Sequence, residues 1–366
     1  KHLLIGSLEA YSGKSATILG LAHQLKARGL DIAYGKPIAG GWGQSKMDDN
    51  DGDVEFVAQT LGLLKERLQA TLLTLDNATV QKRLLGEDQT NYRELLAQQA
   101  EQQQGDLVIL EGSGTLDEGK LFDLSILQVA ETLDGSVVLV ARFHSLLLLD
   151  GLIAAKQQLG DRLLGVIIND VSSDQISVIN TLMLPFLEDR GIKVFGVMPS
   201  SKLLRSVSVG ELVRQLKAEV LCRPDRMDLM VESLTIGAMN VNSALKYFRA
   251  RHNMAVVTGG DRTDLQLAAL ETSTQCLILT GHIPPSKNII SRAEDLEIPI
   301  LSVDLDTLST VEIVDRAFGQ VRLHEPIKFQ CVCQMIDEYV DSDRLLLALG
   351  LEPPKALQSS NARQGD

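Results

Sequence analysis

Short apolar runs divide the first two hundred residues and constrain the fold more than any other feature of this sequence. Each run is rich in Val, Ile and Leu and is apolar at consecutive positions instead of alternate ones. This pattern is typical of strands buried on both faces, as in a parallel sheet. The runs cover residues 3–6, 31–37, 106–112, 136–142, 164–170 and 193–199, with helix-length segments between them.

Alternation of strands and helices predicts right-handed βαβ units and hence an α/β fold with a doubly wound, mostly parallel sheet. Ligands of such folds bind at the carboxyl ends of the strands. After residue 204 a second series of shorter runs and helical patterns begins. We therefore expect a first domain over residues 1–204 and a smaller α/β domain over 205–322. Residues 323–366 are expected to form a helical extension with a polar tail.

Composition narrows the classes of function that the chain can serve. Its 366 residues carry a formal net charge of −13, which argues against nucleic acid or an anionic membrane as the main partner. The sequence has no segment long and apolar enough to suggest a spanning helix, and it does not open with a secretory signal pattern. Its four cysteines are too scattered for a disulfide framework. We expect a cytoplasmic protein.

The segment from Gly6 to Ser15 has the composition of a phosphate-binding loop. It follows a predicted strand, opens a predicted helix and ends in Gly13-Lys14-Ser15. In such a loop, backbone N–H groups cradle phosphates, the lysine reaches the β- and γ-phosphates, and the hydroxyl binds Mg²⁺. Leu8 stands where the strict pattern has its first glycine. The alternative is therefore an ordinary glycine-containing turn between a strand and a helix.

Polar residues at the ends of other predicted strands support the phosphate-binding interpretation. Lys36 ends the second strand and is either a second phosphate contact or a solvated charge. Glu111 ends the strand over 106–112, where a carboxylate could join a Mg²⁺ shell. Asp53 closes an acidic run that is either a solvated loop or a source of one further metal ligand. Asn169 ends the fifth strand and is suited to contact a nucleobase.

The order of Lys36-Pro37, Glu111-Gly112, Asn169 and a Gly-Val-Met-Pro stretch ending at Pro199 resembles dethiobiotin synthetase. That enzyme belongs to the same P-loop group as the cobyrinic acid amide synthases. The resemblance implies catalytic roles for Lys14 and Lys36 at phosphate and carbamate, and Mg²⁺ binding by Ser15, Asp53 and Glu111. It also implies that Asn169 reads adenine. The nucleotide-binding residues expected from these comparisons are Gly6, Gly13, Lys14, Ser15, Ala16, Asn169 and Pro199.

The segment Gly259-Gly260-Asp261-Arg262-Thr263 resembles the signature of the DRTGG domain. It follows a predicted strand and precedes a predicted helix. One interpretation is structural: the glycines permit a tight turn, and Asp261 or Thr263 caps the helix. The other is a second site, in which Asp261 and Arg262 contact a ligand or a second subunit.

A dethiobiotin-synthetase-like domain followed by a DRTGG domain resembles the N-terminal half of large bacterial phosphate acetyltransferases, here standing alone. In those proteins a separate C-terminal domain carries out acyl transfer, so phosphate acetyltransferase activity is not expected. Two differences bear on synthetase activity. The segment 38–43 lacks a hydroxyl residue, and Glu9 places a carboxylate beside the expected anionic substrate. The nucleotide-binding residues are kept while the acceptor site is changed.

Three functions remain open. The first is a regulatory or interaction protein that responds to ATP and Mg²⁺ and forms a homo-oligomer or binds a protein partner through the DRTGG domain. The second is an ATP-dependent ligase or carboxylase-like enzyme of the dethiobiotin synthetase or cobyrinic acid a,c-diamide synthase type, acting on an unknown small molecule. The third is an assembly module with a vestigial P-loop.

Overall fold

The computed structural model describes residues 1–40, 50–319 and 325–352, and excludes the side chains of residues 50–53 and 319. The chain forms two compact units. The first comprises Lys1–Ser200 together with the described residues after 324, and the second lies within Ser201–Leu323. Residues 323–366 were expected to form a helical extension with a polar tail; the described helices of this segment pack into the first unit.

The strands are short, as expected for a domain whose helices cover a central sheet. In chain order they are β1 (His2–Gly6), β2 (Ile32–Gly35), β3 (Ile38–Gly40), β4 (Leu68–Gln69), β5 (Leu73–Leu75), β6 (Leu107–Glu111), β7 (Ser136–Arg142), β8 (Leu163–Val171), β9 (Lys193–Pro199), β10 (Val207–Ser208), β11 (Glu219–Cys222), β12 (Met230–Val231), β13 (Ser233–Gly237), β14 (Met254–Gly259), β15 (Thr274–Thr280) and β16 (Ile300–Ser302).

Helices follow most of these strands. They are α1 (Lys14–Ala27), α2 (Asn50–Leu61), α3 (Asn77–Leu84), α4 (Tyr92–Gln102), α5 (Ile126–Thr132), α6 (Leu148–Leu159), α7 (Ile176–Val178), α8 (Leu184–Glu188), α9 (Lys202–Arg205), α10 (Val209–Leu216), α11 (Val241–Arg249), α12 (Thr263–Leu270), α13 (Lys287–Asp295), α14 (Thr307–Gly319), α15 (Pro326–Tyr339) and α16 (Ser342–Ala348). Among the described helices, none has the length and apolar character required to cross a membrane.

The main sheet of the first unit has the strand order β4-β2-β6-β1-β7-β8-β9. Each described pair of neighbours in it is parallel, which confirms the predicted α/β fold with a doubly wound sheet. The strand order reverses at β1, which lies between β6 and β7. The carboxyl ends of these central strands therefore form the crevice in which ligands of open α/β sheets bind.

Helix α1 is held against the sheet by an apolar face that includes the fully buried Ile18, Leu21 and Leu25. Its start follows from the preceding glycine. Gly13 has a φ of 96°, a left-handed conformation that glycine adopts readily, and it occupies the N-cap position without a side-chain hydrogen bond to the first turn. The N–H groups of that turn therefore face the loop over residues 7–12.

The second unit contains a smaller sheet with the order β11-β16-β15-β14-β13. Strands β13 to β16 are parallel, and β11 pairs with β16 in the antiparallel direction. Helices α11, α12 and α13 cover one face through residues such as Phe248, Leu265 and Ile289, all fully buried. This smaller α/β fold again brings its loops together at the carboxyl ends of parallel strands.

Candidate functional site

The carboxylate of Glu111 is the centre of the polar cluster at the carboxyl ends of β1, β2 and β6. Its Oε1 accepts a hydrogen bond from Ser15 Oγ at 2.8 Å, and its Oε2 accepts one from Tyr34 Oη at 2.9 Å. Lys36 Nζ lies 3.8 Å from Oε1, and both side chains of this ion pair are less than a tenth exposed. The structure thus brings together Ser15, Lys36 and Glu111, as the strand ends predicted. Tyr34 was missed, since it lies inside an apolar run.

Lys14 extends into the same cluster. Its ammonium donates to Ser7 Oγ at 2.8 Å, and the side chain is buried. Burial lowers the pKa of Lys14, and the nearby Lys36 adds to this effect, whereas the carboxylates of Glu111 and Glu118 oppose it. A buried ammonium in these surroundings is short of negative charge, and a polyphosphate would supply it.

Ser7 connects the P-loop to the segment that follows β6. Its Oγ lies 2.8 Å from the carbonyl oxygen of Glu9 and also 2.8 Å from that of Gly114. Because a hydroxyl has one proton, Ser7 can donate to only one of these carbonyls at a time while it accepts from Lys14. Neither Ser7 nor Glu118 was predicted, because a loop serine and a loop glutamate carry no distinctive sequence signal.

Asn169 lies directly against the P-loop. Its Nδ2 donates to the carbonyl oxygen of Ser12 at 2.9 Å. A Cβ atom placed on Gly13 would lie 2.3 Å from the same Nδ2, so a side chain at Gly13 cannot fit unless Asn169 moves. The amide predicted to contact a base therefore also fixes the backbone of the phosphate-binding loop.

One polar atom within the loop has no partner. Ser12 is 1% exposed, and its Oγ makes no hydrogen bond to any residue that the structure describes. Leaving a buried hydroxyl unpaired costs about 1–3 kcal/mol. A hydroxyl held in this way inside a loop of this kind fits a ligand oxygen.

The arrangement of oxygens around Ser15 and Glu111 fits a magnesium ion. Their 2.8 Å separation is close to the edge of an octahedral Mg²⁺ shell, which is about 2.9 Å for Mg–O distances of 2.0–2.1 Å. The side chain of Asp53, the third predicted ligand, lies outside the described residues. Across residues 1–40, 54–318 and 325–352, no group of three or more His, Cys, Asp and Glu side chains could hold a metal.

Three further predicted residues, Gly6, Ala16 and Pro199, lie at the carboxyl edge of the main sheet, and each has a different role. Gly6 ends β1, and a Cβ there would lie 2.6 Å from Ile126 Cδ1, so the glycine also permits α5 to pack on the sheet. Ala16 lies in the first turn of α1 and is partly exposed. Pro199 ends β9 and pairs with Val171 of β8.

Two further pairs of polar side chains at this edge were not predicted. Asp170 Oδ2 accepts from Arg142 Nε at 2.9 Å, and Asp170 Oδ1 accepts from Ser200 Oγ at 2.7 Å. Glu9 Oε1 lies 2.6 Å from His144 Nε2, and both of these side chains are about half exposed. The second pair ties the outer part of the P-loop to the segment after β7.

In the second unit, the two glycines of the predicted second site end β14 and begin the following turn. The N–H of Gly260 donates to the carbonyl oxygen of Thr280 at 3.1 Å. A Cβ on Gly260 would lie 2.1 Å from the carbonyl oxygen of Ile283. Gln266 is fully buried, and its Nε2 donates to the carbonyl oxygens of Gly259 and Gly260, both at 3.0 Å. Gln266, which was not predicted as a site residue, therefore holds the turn by both of these carbonyl oxygens.

The prediction that Asp261 or Thr263 caps helix α12 was wrong. The N-cap residue is Arg262, and no side chain caps the first turn. Arg262 instead donates from Nη2 to the carbonyl oxygen of Met239 at 3.1 Å and pairs with Asp264 at 3.3 Å. The arginine follows the turn that the glycines allow and binds the loop after β13.

Comparison with known proteins agrees with this architecture. A family model described as an AAA domain matches residues 1–208, and one described as a DRTGG domain matches residues 211–317. Phosphate acetyltransferase of Nitratidesulfovibrio vulgaris is 25% identical over 94% of this chain and 51% of its own length. The Synechocystis sp. phosphate acetyltransferase gives the same identity and coverage. The chain thus spans about half the length of the curated relatives it matches.

Among solved structures, the CBS and DRTGG domains of the regulatory region of Clostridium perfringens pyrophosphatase, complexed with diadenosine tetraphosphate, show 18% identity and a TM-score of 0.28. That similarity covers 42% of this chain and 72% of the other. The AAA domain match extends over more than half of the chain. The chain therefore belongs to the AAA domain family, carries a DRTGG domain after it, and is homologous to the N-terminal part of phosphate acetyltransferases.

Proposed function

We propose that the first unit binds an adenine nucleoside triphosphate together with Mg²⁺ and that the chain acts as a nucleotide-responsive regulatory protein. The observation that carries this proposal is the cluster formed by Lys14, Ser15, Lys36 and Glu111 at the carboxyl edge of the sheet. In it, two ammonium groups and a hydroxyl–carboxylate pair lie beside the N-terminus of α1. A helix N-terminus with such cations favours a bound polyphosphate.

The buried charges support a ligand that is both anionic and metal-bound. Lys14 and Lys36 are both buried, and a triphosphate would add negative charge to that of the carboxylates near them. Ser15 and Glu111 would hold Mg²⁺, which would neutralise part of the phosphate charge. The unpaired hydroxyl of Ser12 offers one further donor toward the ligand.

Base recognition by Asn169 is the less direct part of the proposal. One N–H of its amide is used by Ser12, which leaves the amide oxygen and the second N–H for a base edge. Adenine requires one donor and one acceptor in such an interaction, and an amide offers both. We infer a regulatory role because this site is joined in one chain to a second unit that matches the DRTGG domain over residues 211–317.

Calorimetric titration of the full chain tests the proposal. ATP with Mg²⁺ is expected to bind the wild-type protein, and Lys14→Ala is expected to weaken binding by more than about tenfold, since a charged hydrogen bond contributes about 1.5–3 kcal/mol. Arg162→Ala is the control, because it removes a cation that precedes the amino end of β8 and contacts Asp134 and the carbonyl oxygens of Ala130 and Gly135. Absence of binding to any adenine nucleotide would refute the proposal.

Measuring ADP release from the same protein distinguishes the regulatory role from an enzymatic one. Release of ADP that a small carboxylic acid or amine stimulates, and that Lys36→Ala abolishes, would favour the ligase or carboxylase-like alternative. Binding without metabolite-dependent turnover supports the regulatory role.

A further inference from the structure

Helix α15 lies along α1, the helix that begins at the P-loop. The two helices approach closely at Gly20, where a Cβ would lie 2.6 Å from Ile336 Cγ1 and 2.9 Å from Val332 Cγ1. Without a side chain at Gly20, the residues of α15 rest directly on the backbone of α1. Helices packed this closely cannot move independently without opening a void, which is costly in a dense interior.

Polar and aromatic contacts continue the interface toward the C-terminus of α1. The rings of His23 and Phe329 meet edge to face with their centroids 5.3 Å apart. Gln24 Nε2 donates to Asp337 Oδ1 at 2.8 Å. Arg28 pairs with Asp343, at the start of α16. We call this set of contacts between α1 and residues 329–343 the seam.

The seam matters because the chain passes through the whole second unit between α1 and α15. The chain leaves the first unit after β9, forms the whole second unit, and returns to the first unit at α15. The returning segment is also bonded to β9: the N–H of Asp341 donates to the carbonyl oxygen of Phe195 at 2.7 Å. Arg344 binds both carboxylate oxygens of Glu188 at 2.8–2.9 Å. Both covalent connections to the second unit are therefore attached to elements that the seam holds in place.

We propose that the seam between α1 and α15 relays nucleotide occupancy of the P-loop to the second unit. Occupancy acts at the N-terminus of α1, through Lys14 and Ser15, and the seam begins less than two turns further along the same helix. A relay requires nucleotide occupancy of the P-loop to change the free energy of the seam, so that binding and the state of the second unit are coupled. This inference rests on the proposed nucleotide binding and adds the route by which binding reaches the DRTGG domain.

The test compares hydrogen exchange of the full chain with and without a non-hydrolysable ATP analogue and Mg²⁺. Binding is measured first by calorimetry on the same samples. In the wild-type protein, amides of residues 201–319 are expected to change their exchange rate by about fivefold or more, the lower end of typical allosteric coupling. In the double variant Gln24→Ala/Arg28→Ala, the nucleotide should still bind, and the change in the second unit should fall below about twofold.

Arg162→Ala again serves as the control and should respond as the wild type does. Asp337→Ala/Asp343→Ala breaks the same two contacts from the other helix, so both double variants should behave alike. If either bound double variant keeps the full response of the second unit, the relay is wrong. The relay is also wrong if the wild-type protein binds the analogue without any such response, whereas loss of binding in the wild type refutes the proposed function itself.

Discussion

Substitution of Gly13 by alanine tests how tightly the P-loop is specified. Gly13 has a φ of 96° and its missing side chain leaves room for the amide of Asn169. An alanine in a left-handed conformation costs about 1–2 kcal/mol. Its Cβ would lie 2.3 Å from Asn169 Nδ2, so Asn169 must move and give up its hydrogen bond to Ser12. Losing that bond costs about 0.5–1.5 kcal/mol more.

We therefore expect Gly13→Ala to destabilise the P-loop by about 1.5–3.5 kcal/mol. Hydrogen exchange of the amides in β1 and α1 measures this as a lower free energy of local opening. Asn169→Ala alone should cost only the hydrogen bond. Both single variants lose the hydrogen bond between Asn169 and Ser12, and the double variant loses it only once, so its cost should fall short of additivity by about 1 kcal/mol.

Two results would refute this reasoning about Gly13. The first is a Gly13→Ala protein whose β1 and α1 amides exchange as slowly as those of the wild type. The second is strict additivity in the double variant, which would mean that the alanine and the Asn169 amide do not compete for the same space.

Three further predictions concern other parts of the fold. Gly20→Ala should lower the melting temperature of the first unit, and combining it with Ile336→Ala should cost less than the sum of the single changes, because the two side chains share one space. Gln266→Leu should destabilise the second unit by about 1–3 kcal/mol, measured by urea unfolding, because the buried carbonyl of Gly260 and the partly buried carbonyl of Gly259 lose their donor. Arg344→Ala should destabilise the first unit in a pH-dependent way. Arg344 lowers the pKa of Glu188, so their pair stabilises the fold above the ordinary carboxyl pKa and loses its contribution as pH falls through the lowered pKa. Melting curves of Arg344→Ala and wild type should accordingly converge at acid pH and separate at neutral pH.

The sequence predicted those parts of the fold that depend on local patterns. The parallel sheet follows from consecutive apolar residues, and strands ending in Lys36, Glu111 and Asn169 bring those residues to one edge because parallel strands share their carboxyl end. Gly13 was recognisable because Gly-Lys-Ser opens a helix. These inferences require only the period of a strand and the position of its last residue.

Features that depend on contacts between distant residues were not predictable in this way. Ser7 is an ordinary loop serine until Gly114 lies opposite it, and Tyr34 is an apolar strand residue until Glu111 lies on the neighbouring strand. Helix α15 shows no sign in its sequence that it covers α1, because Gly20 and Ile336 are separated by the whole second unit. Periodicity predicts that one face of a helix is buried, but it does not predict which element packs against that face.

The Mg²⁺ dependence of nucleotide affinity tests the central claim most directly. Glu111→Gln keeps the size of the side chain and an oxygen that can accept from Ser15 or Tyr34, but removes the negative charge that a metal requires. Calorimetry with ATP, in Mg²⁺ and in chelator, should show that the metal tightens binding by about tenfold or more in the wild type and by less than about twofold in Glu111→Gln. Equal metal dependence in the two proteins, or tight binding that Lys14→Ala leaves unchanged, would contradict the assignment of this cluster as a magnesium–nucleotide site.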